Sequence, residues 1–225
     1  MGWIARSLTA AAIGLFGGTV QVGAQGTPAA LLDAAREDPH SFARYLAQAG
    51  VPAGVEIRER DFAVARLEVL PRTPGREISA DELVAVFNSS HADYSAAVSG
   101  GVVVIGPLSR RSPVLEARAQ QGRISVTGLM NALRSVFAPF TPALMTGVAA
   151  RGGPTSAGIE RAEQLRVEID PGGQTVRDVL NAIANQAPGD VWFVVTRDDE
   201  PVTIRRVGFL HADGSTSSMA VSITR

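Results

Sequence analysis

Ser89-Ser90-His91-Ala92-Asp93 brings together, in five consecutive residues, the side-chain types of a serine hydrolase: an alcohol to attack, an imidazole to take its proton and a carboxylate to orient the ring. The spacing argues against that chemistry. A triad needs side chains that converge from separate elements, with the serine on a tight turn beside amide donors, and no Gly-x-Ser-x-Gly occurs in the chain. The segment reads instead as a polar helix end leading into a strand. His40 follows Pro39 at a helix start, and His211 lies in the turn-like His211-Ala212-Asp213-Gly214. Both read as surface residues, and no His-x-x-x-His or His-Glu-x-x-His spacing points to a metal. Asp198-Asp199-Glu200 has the oxygens to bind calcium but lacks the EF-hand spacing, so it reads as a solvated hairpin turn. Gly152-Gly153 and Gly172-Gly173 lack the context of a phosphate loop. The sequence therefore assigns no catalytic, cofactor-binding or metal-ligating residue. One alternative stays open, a secreted hydrolase whose site is assembled around His91 or His211 with distant carboxylates.

Composition narrows the function classes further. A net charge of -1 and a pI near 6.3 supply no basic face to release counterions from a polyanion, which weighs against nucleic acid as a partner. The dipeptides Arg110-Arg111 and Arg205-Arg206 read as solvated edges beside strands. With no cysteine, disulfides, thiolate metal sites and cysteine nucleophiles are excluded together. All 21 basic residues are arginine, a bias expected of a GC-rich bacterial genome.

At the start of the chain, residues 1–6 carry one positive charge, residues 8–20 are apolar, and Val22-Gly23-Ala24 matches a signal-peptidase site. The apolar run falls short of the roughly 20 residues that span a bilayer. The expectation is cleavage after Ala24 and a periplasmic or secreted product without stable membrane insertion.

The elements that would position any site follow from periodicity. Residues 25–52 form an N-terminal helical segment, read as an arm or lid, with Phe42, Tyr45, Leu46 and Ala49 on one helical stripe. Residues 53–110 form an α+β unit: strands at 55–60 and 66–70, a turn at 71–75, a helix opened by Ser79 and Glu82 as a capping pair, and a hairpin over 94–105 turning at Gly100-Gly101. Residues 111–164 hold a short strand, Thr127 as N-cap, a helix ended by Pro139, and a glycine-rich loop over 147–158. Residues 165–225 form a second α+β unit, with Thr175 capping a helix whose stripe is Val176, Val179, Leu180, Ile183, Ala184 and Ala187. Three helices share a similar apolar order, Leu83 to Phe87, Leu129 to Leu133 and Val179 to Ile183. The expected class is α+β: small βαβ-type units with helices packed on one face of a mixed or antiparallel sheet.

The passage 166–195, with its strand, Thr-Val-Arg-Asp-Val-Leu, helix and apolar strand, resembles the short N-terminal domain of secretins and TonB-dependent receptors. Residues 77–107 resemble it too, through Asp81-Glu82-Leu83 and the closing strand Gly101-Val102-Val103-Val104-Ile105. The resemblance implies a periplasmic domain that binds other proteins, and it brings no catalytic residues. The expected function is thus an exported, non-enzymatic accessory domain of the bacterial envelope with a protein partner; Val102 to Ile105 is the candidate strand, either covered on both faces by the fold or keeping one edge for the partner.

Overall fold

The computed structural model describes residues 32–62, 79–140, 148–151, 156–198 and 201–224. The signal segment, the strand at 66–70, the turn at 71–75, residues 147 and 152–155 of the glycine-rich loop, and Asp199 and Glu200 lie outside the described residues.

The class is α+β, with a mixed sheet. In chain order the elements are α1 (Pro39–Gln48), β1 (Ala53–Arg58), α2 (Ala80–Ser90), β2 (Tyr94–Ser99), β3 (Val102–Pro107), α3 (Pro113–Glu116), β4 (Ile124–Thr127), α4 (Leu129–Phe137), β5 (Val148–Arg151), α5 (Ala157–Gln164), β6 (Arg166–Ile169), α6 (Val176–Gln186), β7 (Asp190–Arg197), β8 (Thr203–His211) and β9 (Thr216–Thr224). Seven strands form one sheet in the order β2-β3-β1-β7-β8-β9-β5, and β4 pairs with β6 in a separate ribbon. β1 runs parallel to both of its neighbours, β3 and β7, while the other pairs are antiparallel.

Helices cover both faces of this sheet, rather than the one face expected. Successive residues of a strand point to opposite sides, and β7 divides accordingly. Phe193 and Val195 pack with α1 and α2, whereas Trp192 and Val194 pack with α4, α6 and the β4–β6 ribbon. Burial on both faces explains why Val191 to Val195 is an unbroken apolar run. The N-terminal helical segment is correspondingly not a lid: α1 buries Phe42, Ala43, Leu46 and Ala47 in the core. Its start is fixed by Asp38, whose side chain accepts from the His40 and Ser41 amides, both at 2.9 Å.

Several local readings hold. Ser79 Oγ accepts from the Glu82 amide at 3.1 Å. Gly100 and Gly101 have φ of 59° and 80°, the left-handed pair that a two-residue hairpin between Ser99 and Val102 requires. Thr175 and Asp178 form a reciprocal capping box on α6. One reading changes and one alternative is settled. The N-cap of α4 is Gly128 at φ 93°, and Thr127 is the last residue of β4. Val102 to Ile105 offers no free edge, because β3 pairs with β2 on one side and β1 on the other.

The units expected at 53–110 and 165–225 share this sheet through β1 and β7, and the junction is tight. A Cβ on Gly54 would lie 1.8 Å from the Trp192 indole. That indole donates to Asn181 Oδ1 on α6 at 3.1 Å, so a buried N–H finds its acceptor on the helix above.

Candidate functional site

His91 and its neighbours do not converge on a reacting centre. The ring stacks on Phe87, with centroids 4.0 Å apart, and its nitrogens contact the carbonyls of Phe87 and Glu37. Ser89 and Ser90 both donate to the Val86 carbonyl, at 2.8 and 2.9 Å. These contacts close the C-terminal end of α2 against the turn before α1.

His40 and His211, read as surface residues, are both buried. His40 packs its ring against Phe62, and its pKa is lowered to about 4, first by burial and then by the nearby Arg44 guanidinium. His211 stands in a hydrogen-bonded chain. Its Nδ1 is 2.7 Å from Asp190 Oδ1 and its Nε2 is 3.0 Å from Ser217 Oγ. Arg161 of α5 donates to the same Asp190 oxygen at 2.9 Å. The three side chains come from adjacent strands: Asp190 opens β7 opposite His211 at the end of β8, and Ser217 lies near the start of β9. The sequence offered His211 only within an alternative, beside His91, and it did not single out Asp190 or Ser217, because neither belongs to a motif and only the strand pairing brings them together.

The β8–β9 turn holds this corner in place. Asp213 accepts from the Gly158 amide at 2.8 Å and from the Ser156 hydroxyl at 2.7 Å, and its other oxygen accepts from Ser215. The hydroxyl and amide donors hold the Asp213 carboxyl well below its usual range, outweighing the opposing effect of partial burial. Gly158 permits the approach, since a Cβ there would fall 2.5 Å from Asp213 Oδ1 and 2.8 Å from His211 Cβ. Ser217 also lines a cavity of about 300 Å³ together with Gly128, Met130, Asn131, Arg134, Ile159, Ala162 and Glu163. The cavity therefore lies between α4 and α5.

A second polar cluster occupies the carboxyl ends of the parallel strands. Glu56 is fully buried, although 55–60 alternates apolar and charged residues; Oε1 accepts from the Ser112 amide at 2.5 Å and Oε2 from Arg177 at 3.0 Å. Burial raises its pKa, against the lowering effect of the Ser112 amide and Arg177. Arg58, also buried, donates to Ser109 Oγ at 3.1 Å and stands 3.5 Å from Asp198. Asp198 is thus an ion-pair partner of the strand beside it. Arg111 bonds the Pro107 carbonyl and Ser95 Oγ, and Arg206 lies over the Phe62 ring, so neither arginine pair is only a solvated edge. Among the described residues no cluster of three metal-ligating side chains occurs.

Fold and sites together describe an α+β domain with a buried polar chain at one end of its sheet and one six-residue edge strand, β2, at a margin. Compared with family models, curated proteins and solved structures, the chain gives no match.

Proposed function

We propose that this chain is an exported accessory domain of the bacterial envelope that holds a protein partner by pairing an extended segment of it with β2. The observation that carries the reading is the character of that strand. β2 is the terminal strand of the sheet order, and its sequence, Tyr94-Ser95-Ala96-Ala97-Val98-Ser99, contains no charge and no proline. Soluble proteins usually blunt such an edge with lysine, proline or a bulge. Among the described residues the outward backbone groups of β2 are bonded at Ala96 by a carboxamide: Asn88 of α2 accepts from the Ala96 amide at 2.7 Å and donates to the Ala96 carbonyl at 3.0 Å. Those bonds mark Ala96 as facing outward, and alternation puts Val98, 38% exposed, in the same orientation. An incoming strand would displace Asn88 and gain the Ala96 and Val98 backbone groups. The resemblance of 77–107 to the short N-terminal domain of secretins and TonB-dependent receptors supports a partner in the same envelope systems.

The test uses position Val98. A photo-cross-linking residue there should trap one protein in living cells, and Val98→Pro, which removes only an outward amide, should abolish pull-down of that same protein while the chain stays folded. Asn88→Ala should strengthen capture. A folded Val98→Pro protein that still captures its partner fully would overturn the reading.

A further inference from the structure

We infer that Asp190, His211 and Ser217 form a nucleophilic triad serving the cavity between α4 and α5, and that this cavity accepts a small carboxylic ester. The inference goes beyond partner binding and departs from the expectation of a non-enzymatic chain. The geometry has the form such chemistry needs. The Asp190 carboxylate, paired with Arg161, accepts from Nδ1–H of His211 at 2.7 Å, which leaves the Nε2 lone pair to accept from the Ser217 hydroxyl at 3.0 Å. Three adjacent strands supply the three groups, and the strand ladder fixes their relative positions. Asp190 and His211 are each 1% exposed, so Nε2 reaches the cavity only through Ser217, which lines it.

The cavity selects the substrate class. About 300 Å³ admits a short acyl chain, and Met130, Ile159 and Ala162 give that chain apolar walls. Arg134, half-buried on α4 and bonded to Asn131 Oδ1 at 3.2 Å, lines the same space with Glu163, and its guanidinium is the group assigned to stabilise charge developing on a carbonyl oxygen. In the reaction, Ser217 Oγ attacks the ester carbonyl carbon and its proton passes to His211 Nε2. The tetrahedral adduct collapses by breaking the bond to the alcohol oxygen, and Nε2 returns the proton to the departing alcohol. Water then attacks the acyl-serine, giving its proton to Nε2; the bond to Oγ breaks, the carboxylic acid leaves and the serine is reprotonated. Asp190 acts as a positioning residue throughout.

A fluorophosphonate probe and p-nitrophenyl butyrate test the inference on the folded full chain. The expected result is one covalent adduct, located on Ser217 by peptide mass, and hydrolysis that falls by at least about 100-fold in Ser217→Ala, as loss of a triad nucleophile requires. His211→Gln should slow labelling of Ser217 without moving it to another serine. The wild-type adduct is informative even if a variant misfolds. A folded wild-type protein that takes no adduct, or an adduct that persists in Ser217→Ala, would overturn the triad. The β2 edge is remote in the sheet order, so Ser217→Ala should leave cross-linking at Val98 unchanged, and failure of one reading is distinguishable from failure of the other.

Discussion

An imidazole changes charge near neutrality, and its surroundings decide which way that change moves stability. His40 has its folded pKa lowered to about 4 by burial and Arg44, below the value near 6.5 of an exposed imidazole. The unfolded chain therefore binds a proton at a higher pH than the folded chain does. Stability contributed by keeping His40 neutral is fully present above about pH 6.5 and declines as pH falls toward 4, at no more than about 1.4 kcal/mol per pH unit. Chemical denaturation between pH 7 and 4 should show this slope, and His40→Gln should remove it; an unchanged slope would mean the imidazole is not protected from protonation. Ser79 and Ser89 make a paired test. Ser79 satisfies a first-turn amide of α2, whereas Ser89 donates to a carbonyl within the same helix. Ser79→Ala should cost about 1 kcal/mol, and Ser89→Ala clearly less, with equal losses contradicting the assigned helix start. These capping residues were legible because a cap bonds its own first turn. His40 was not, since the Phe62 ring that covers it comes from beyond β1 and no local spacing records it.

Helix α6 shows what periodicity can carry at the scale of an element. Its predicted stripe of Val176, Val179, Leu180, Ile183, Ala184 and Ala187 is buried throughout, because a spacing of three and four residues aligns side chains on one face whatever that face meets. Leu180→Ala should therefore destabilise the protein by about 2 to 5 kcal/mol, measured by chemical denaturation. A loss below about 1 kcal/mol would place Leu180 outside a packed core. The stripe did not reveal Asn181, which is buried beside it as acceptor for Trp192. A polar residue between apolar ones looks solvent-facing until its partner is known. Strands are harder for a related reason. The apolar run at β3 shows burial, but the order β2-β3-β1 depends on pairing between residues far apart in sequence, so β3 is internal and β2 is a terminal strand of the sheet order. Likewise Glu56 and Arg58 alternate with apolar neighbours as an exposed strand would, yet Arg177, Ser112 and Ser109 bury them by supplying hydrogen bonds from other parts of the chain.

At the scale of the whole molecule, β1 determines whether the chain divides. The units expected from the sequence ended at residues 110 and 164, and the α+β class was readable from the order of elements. The sheet instead places β1 between β3 of its own half and β7 of the other, with Gly54 against the Trp192 indole and Phe193 in the core formed with α1 and α2. A fragment of residues 25–110 would keep the β2–β3 hairpin and both helices of one face, but it would expose the β7 edge of β1 and lose Val191, Phe193, Val195 and Leu210 from the core beneath α1. Each such side chain contributes about 1.5 to 3 kcal/mol when fully buried, so losing four removes an amount comparable to the roughly 5 to 15 kcal/mol net stability of a typical domain. The fragment alone should give a poorly dispersed amide spectrum and no cooperative thermal transition. Co-expression with residues 111–225 should restore both, because β7 then pairs with β1 and returns Phe193 to the core. A dispersed spectrum and a cooperative melt from the 25–110 fragment alone would show that its helices and hairpin form an independent domain despite the shared sheet.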